Sequence, residues 1–412
     1  MTTMQFKTTI SAIAALIGLG LASMGSAACA QQVYPAATTA VQPVKDSFYV
    51  SPSTDALARV QPGTVLRYRT TPHPYGSRVS QAYQLMFRST DGSGNPVAMV
   101  TTLLMPAKAP TTGRKLLSYQ SMYDSLQLNC TPSGLTTSGK LFEKGYVNTA
   151  LDQGVVVVLT DYEGLQSQWI AGLNTAHGVL DGIRAVEKFS KSGLKSTTPV
   201  GLMGYSGGGH ATAWANEVAL EYAPELNIVG AAMGGLPVSP LNVAKKVDGG
   251  LFAGVYFGAV LGLSRANPQI NVNDYASPAG LTMLKDMAKR CLLGMMEGQP
   301  EILTPYAFKK GSQYLQDPNF LDLPEMQAIG VANTMGSRPP KAPMYIYEGA
   351  IDEVMPIADV DALVKTYCAR GQKVQYNRYA AADHMMLAIA PDAGMSYVLD
   401  RLSGKDAPGN CN

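Results

Sequence analysis

The sequence predicts an α/β fold: a mostly parallel central sheet flanked by helices, with an inserted, mainly helical cap. Three observations carry this. Apolar runs of strand length alternate with amphipathic stretches of helix length. One strand-to-helix junction is Gly204-Tyr205-Ser206-Gly207-Gly208-Gly209, a serine crowded by small residues. The alternation stops between about 240 and 324, in a block rich in glycine, proline and short helical pieces, and then resumes.

Taken in order, residues 1–30 read as a signal peptide. Lys7 supplies the positive start, 10–21 a short apolar core, and Ala28-Cys29-Ala30 the small-residue cleavage pattern. The apolar core is too short and glycine-rich to span a membrane, so the chain is expected to be exported, secreted or periplasmic, after cleavage near Ala30. A lipid-modified Cys29 is the alternative, and Ser26, in place of a larger aliphatic residue, speaks against it. Residues 31–74 are weakly periodic and read as an arm around the core. Strands are expected at 80–88 and 96–105, joined by the turn Asp91-Gly92-Ser93-Gly94-Asn95. A strand at 115–119 follows, then a continuous apolar strand at 154–160 of the kind buried inside parallel sheets. Next come a helix over 171–188, a strand at 199–203, a helix over 211–220 and a strand at 227–233. The irregular block holds a helical piece at 280–293. Beyond it lie a strand at 343–348, a helix at 358–370, a strand at 373–379 and a final helix at 393–402. The core is thus 31–239 and 325–412, with the cap 240–324 between them.

A chain of 412 residues with 46% hydrophobic content buries a large core. Its formal net charge of +2 and 15% charged residues leave no basic stripe, which argues against nucleic acid as a partner. Nothing points to a stable protein partner. The cysteines lack paired spacing, there is no histidine-rich ligand cluster, and no phosphate-binding lysine follows the glycine-rich turn; neither metal nor cofactor is expected. Signal cleavage would discard Cys29 and leave Cys130, Cys291, Cys368 and Cys411. This even set favours two disulfides, with three pairings open.

The chemistry centres on Ser206. On a tight strand-to-helix turn a serine hydroxyl projects from the sheet, and the turn tolerates only small neighbours, here Gly204 and Gly208. The Gly207 amide would face a developing oxyanion with the helix dipole behind it. The bland alternative is a glycine-rich turn with an incidental serine. A serine hydroxyl needs a base, and the base an orienting acid. Of four histidines, His384 alone follows both serine and acid in the chain order of this arrangement. His73, His177 and His210 read as structural. Asp352, in the loop after the 343–348 strand, is the expected acid; Glu353 fits the loop less well, Asp359 and Asp361 fall on the next helix, and Asp383, beside the base, is the rival. The HGGG motif that often supplies a second oxyanion donor is absent. The corresponding strand ends in Ser118-Tyr119-Gln120-Ser121-Met122-Tyr123-Asp124-Ser125.

With these residues in view the chain resembles the secretory lipase family. The landmarks are Ser118-Tyr119-Gln120 with Asp124-Ser125, Asn129-Cys130-Thr131-Pro132-Ser133, Thr160-Asp161-Tyr162-Glu163-Gly164, the stretch 177–185 beginning His177-Gly178-Val179, the glycine-rich turn, Gly234-Gly235 and the Asp352 loop. The resemblance implies an α/β-hydrolase fold whose cap shapes an acyl pocket. It implies a Ser206, Asp352 and His384 triad, with the oxyanion held by the amides of Asp124 and Gly207. It also implies the disulfides Cys130–Cys291 and Cys368–Cys411. The Asp124 side chain itself reads as a structural, hydrogen-bonded aspartate.

The function expected is hydrolysis of acyl or lipid esters, with transient contact to lipid surfaces. A peptidase or acyltransferase using the same triad is an alternative, and a noncatalytic binding protein on the same scaffold is another. The apolar stretch 249–263 fits either the lining of an acyl channel, a lipid-facing surface or an ordinary buried helix.

Overall fold

The computed structural model describes residues 41, 45–294, 298, 300–389 and 392–411. Residues 1–30 and Cys29, with the signal and lipid-anchor readings they carry, lie outside the described residues.

The chain enters through α1 (Thr54–Ala58) and β1 (Val65–Thr70). This strand falls in the stretch read from sequence as an arm. Its alternating Val65-Leu66-Arg67-Tyr68-Arg69-Thr70 suits a half-exposed edge, and it pairs antiparallel with β2 (Val79–Thr90). β2 and β3 (Pro96–Pro106) form the long expected hairpin. β4 (Leu116–Gln120), α2 (Pro132–Ser138), α3 (Lys144–Asp152), β5 (Val156–Thr160) and α4 (Gly172–Lys188) follow. Every residue of β4 and β5 is buried, as the absence of period-two polarity required.

β6 (Val200–Tyr205) leads into α5 (Gly207–Tyr222), and β7 (Ile228–Gly234) follows. α5 begins four residues ahead of the helix read from sequence. Glycine is a poor helix former, but here close packing outweighs propensity: a Cβ on Gly208 would strike the Gln120 carbonyl and one on Gly209 the Gly234 carbonyl. Then come the helices α6 (Pro240–Val247), α7 (Ala253–Ala266), α8 (Pro278–Met287), α9 (Leu303–Tyr306) and α10 (Pro324–Ala332). α8 stops short of the expected 293 because the Cys291 amide donates to the Pro300 carbonyl while the Cys291 carbonyl accepts from Ile302, drawing the chain out of the helix. β8 (Met344–Gly349), α11 (Ile357–Ala369), β9 (Val374–Tyr379), the short α12 (His384–Ala388) and α13 (Asp392–Leu402) complete the chain.

The nine strands run β1-β2-β3-β5-β4-β6-β7-β8-β9, antiparallel from β1 through the β3–β5 pair and parallel thereafter. Helices cover both faces, and the main apolar cluster lies between them and the sheet. A second cluster, built on Phe257, Leu261, Leu284 and Met287, belongs to the helical block between β7 and β8. Disulfides Cys130–Cys291 and Cys368–Cys411, with Cα separations of 5.9 and 5.4 Å, tie the core to that block and the C-terminus to α11.

Parallel register places the site. Gln120 lies beside Gly204, Tyr205 beside Gly234, Gly234 beside Tyr347 and Gly349 beside Tyr379. The loops that leave β4, β6, β7, β8 and β9 therefore emerge at one edge of the sheet, where open α/β sheets bind their ligands.

Candidate active site

Ser206 stands between β6 and α5 with φ 54° and ψ −121°, a conformation an ordinary side chain adopts only when its surroundings force it. The surroundings are specific. The Ser206 amide donates to the Gly234 carbonyl at 2.9 Å, and its own carbonyl accepts from His210 at 2.8 Å. A Cβ on Gly204 would collide with the Gly208 carbonyl, so both glycines flanking the serine are sterically required.

His384 Nε2 lies 3.0 Å from Ser206 Oγ, and His384 Nδ1 lies 2.7 Å from Asp352 Oδ2. Asp352 is buried and also accepts from the amides of Val354 at 2.8 Å and Met355 at 2.6 Å. Burial works against its charge, but the His384 hydrogen bond and the two amides outweigh that and hold the carboxyl below its usual range. The imidazole is held from outside as well: the Tyr205 hydroxyl donates to the His384 carbonyl, and the His384 amide donates to Glu353. Asp383 is occupied elsewhere. It caps α12, its carboxylate accepting from the Met386 amide at 2.7 Å.

The other histidines sit apart. His210 is buried on α5, where loss of solvent drives its pKa down to about 3. His177 stacks on Tyr222 with ring centres 3.9 Å apart, and His73 stacks near Tyr75.

On the opposite side of Ser206, Asp124 and Gly207 face one another. Asp124 has φ 35°, and a Cβ on Gly207 would land on its carboxyl. The carboxyl is buried, and its Oδ1 has no hydrogen-bond partner among the described residues. Burial pushes its pKa up to about 7, the Glu143 charge adds to the rise, and Trp169 and the Gly207 amide pull the other way. Its loop is clamped on both flanks. Glu143 accepts from Ser121 Oγ at 2.8 Å and the Met122 amide at 2.7 Å, while Glu163 accepts from the Ser125 amide at 3.2 Å. The Tyr162 hydroxyl donates to the Ser121 carbonyl at 2.6 Å. Glu163 stood among the sequence landmarks. Glu143 carried no sequence signal, because Glu143-Lys144-Gly145 reads as a solvated turn.

An apolar cleft opens above these residues, its wall formed by Trp169, Val243, Phe252, Val255, Ala259 and Leu303. Three of them lie in 249–263. α7 turns Val255 and Ala259 to the cleft and packs Phe257 and Leu261 into the second apolar cluster, so this stretch both lines a cavity and fills a core. Among the described residues no group of His, Cys, Asp or Glu is arranged to hold a metal, and no helix is long and apolar enough to cross a membrane. The arrangement sets a hydroxyl, an imidazole and a carboxylate in line at an apolar cleft, the order that a serine nucleophile and its base require.

The secretory lipase family profile matches residues 130–410. The chain is 36% identical over 396 residues to Lipase 10 of Candida albicans, covering 90% of this chain and 83% of that protein. It is 32% identical over 383 residues to a Mycobacterium tuberculosis protein named as a probable inactive lipase, covering 88% of this chain and 83% of that protein. Candida antarctica lipase A in its closed state superposes with a TM-score of 0.83 at 31% identity, covering 90% of this chain and 89% of that structure. The fold is that of an α/β-hydrolase, and such relatives place the chain among hydrolases that act on esters. The two disulfides fit an exported protein. The chain belongs to the secretory lipase family.

Proposed function

We propose that this protein is a secreted lipase or carboxylesterase that cleaves long-chain acyl esters, triacylglycerols or related lipids, through an acyl-enzyme on Ser206. The continuous relay from Ser206 Oγ through His384 to Asp352, at 3.0 and 2.7 Å, carries the reading. His384 takes the hydroxyl proton as Ser206 attacks the ester carbonyl, and Asp352 holds the imidazole in the right tautomer and stabilises the imidazolium. The amides of Gly207 and Asp124 receive the oxyanion. The proton on His384 goes to the departing alcohol. Water, deprotonated by the same imidazole, then releases the fatty acid. The wall of Phe252, Val255 and Ala259 supports an acyl rather than a peptide occupant. Residues 1–30 would direct export and be cleaved off near Ala30 in the process.

Hydrolysis of p-nitrophenyl esters from acetate to palmitate, with Ser206→Ala alongside, tests the proposal. Turnover that reaches the long chains and falls by about 10⁵-fold or more in the variant is expected. Activity that survives Ser206→Ala would refute it. The relative named as a probable inactive lipase makes a binding role the second reading. A fluorophosphonate probe separates the two, since an idle scaffold leaves Ser206 unlabelled.

A further inference from the structure

Phe308 is a bulky residue at φ 61°, in the left-handed region that glycine occupies without strain. Its ring is 68% exposed. The backbone explains the conformation but not the residue: the Phe308 amide donates to the Gly250 carbonyl at 2.8 Å and the Gly249 amide to the Lys309 carbonyl at 3.1 Å, joining loops 248–251 and 307–311 side by side. Glycine would make both bonds at lower conformational cost, and the fold buries little of the ring. The joined loop presents Leu251 as well, 55% exposed. Beside this pair stand Lys309 and Lys310, exposed and without an ion-pair partner among the described residues. Asp248, at the start of the joined loop, accepts through its carboxylate from the Gly311 amide at 2.7 Å. Leu251 directly precedes Phe252, which lines the cleft above Ser206.

We infer that this tip of the helical block, Leu251 and Phe308 flanked by Lys309 and Lys310, docks on an anionic lipid surface. Two apolar side chains enter the headgroup boundary while two ammonium groups meet lipid charge, the combination by which peripheral proteins hold an interface. Docking there sets the cleft wall next to the surface from which a lipid ester is drawn. The inference rests on the lipid-ester reading of that cleft, but its test does not require turnover.

In the Ser206→Ala background, which cannot hydrolyse the probe, partition onto phosphatidylcholine vesicles with and without phosphatidylglycerol is measured by cosedimentation. Leu251→Ser/Phe308→Gly should lower the partition coefficient on mixed vesicles by about tenfold. Glycine suits the φ of position 308, so the loop keeps its backbone bonds. Lys309→Glu/Lys310→Glu should erase the preference for the anionic vesicles. With Ser206 restored, both variants should turn over monomeric p-nitrophenyl butyrate as the parent does. Equal partition of parent and Leu251→Ser/Phe308→Gly overturns the inference, as does a parent that binds neither vesicle. Absence of esterase turnover with vesicle binding intact would instead refute the proposed function.

Discussion

The two flanks of Ser206 are built on opposite electrostatic principles. On the His384 side Asp352 has both oxygens engaged, one by the imidazole and one by two amides, and its charge is favoured. On the Asp124 side the carboxyls are buried with too few donors, and Asp124, Glu143, Asp161 and Glu163 all hold their protons more tightly than in water. The first flank thus favours a charged carboxylate, whereas burial on the second favours protonated ones, with Asp124 and Asp161 pushed up to about 7. Asp352→Asn breaks the contrast most severely. It preserves shape but removes the charge that fixes the His384 tautomer, and kcat should fall by about 10⁴-fold. A fall of less than tenfold, read in a standard ester assay, would assign the orienting role elsewhere.

Asp124 offers a sharper comparison of the two flanks. Below pH 7 its carboxyl carries a proton and can donate toward an oxyanion at Gly207; above pH 7 it becomes a negative charge beside the same place. Asp124→Asn keeps the shape, tolerates the left-handed backbone and donates at every pH. The ratio of variant to parent kcat/KM should therefore rise about tenfold between pH 6 and pH 9. A flat ratio would mean that the side chain serves structure alone. Asp124→Ala removes the side-chain donor while leaving the amide of position 124 in place, and should cost about 10²-fold in kcat, the scale of one oxyanion-hole contact.

What the sequence reveals of these flanks differs in the same way. Ser206 is legible because a strand, a helix and glycines at fixed offsets leave one geometry, and His384 because chain order eliminates its competitors. Asp352 is favoured over Asp383 by its place in the loop after a strand, and the structure adds that Asp383 is occupied in capping α12. Glu143 and its hold on Ser121 and Met122 are not legible, because no local pattern brings the glutamate ahead of α3 to a loop more than twenty residues upstream. β1 is hidden for a related reason: an edge strand with two arginines lacks the apolar run that marks β5, and its partner β2 supplies the order. Close approach, not propensity, sets the start of α5 at Gly207, and sequence periodicity carries no record of such contacts.

The smallest expected effect tests whether the titrating flank stores protons in the folded state at all. An unfolded carboxyl loses its proton near pH 4, whereas Asp124 and Asp161 keep theirs to about pH 7, and Glu163 is shifted upward by burial. From about pH 4 upward the folded state therefore binds more protons than the unfolded one, and stability declines as pH rises until these groups ionise. His210 and His177, whose pKa values burial lowers, act in the opposite sense, but only below about pH 6.5, where an unfolded imidazole gains its proton. Asp352, with its pKa depressed, loses its contribution only as pH falls below the ordinary carboxyl range. Between pH 6.5 and 8 the carboxyls act alone, and Tm should drop by about 3 °C. Asp124→Asn removes one of them and should shrink the drop. A Tm that rises across this window, measured by calorimetry in matched ionic strength, would mean that the carboxyls beneath Ser206 are already charged in the folded protein, and the pH-dependent gain expected of Asp124→Asn would vanish with them.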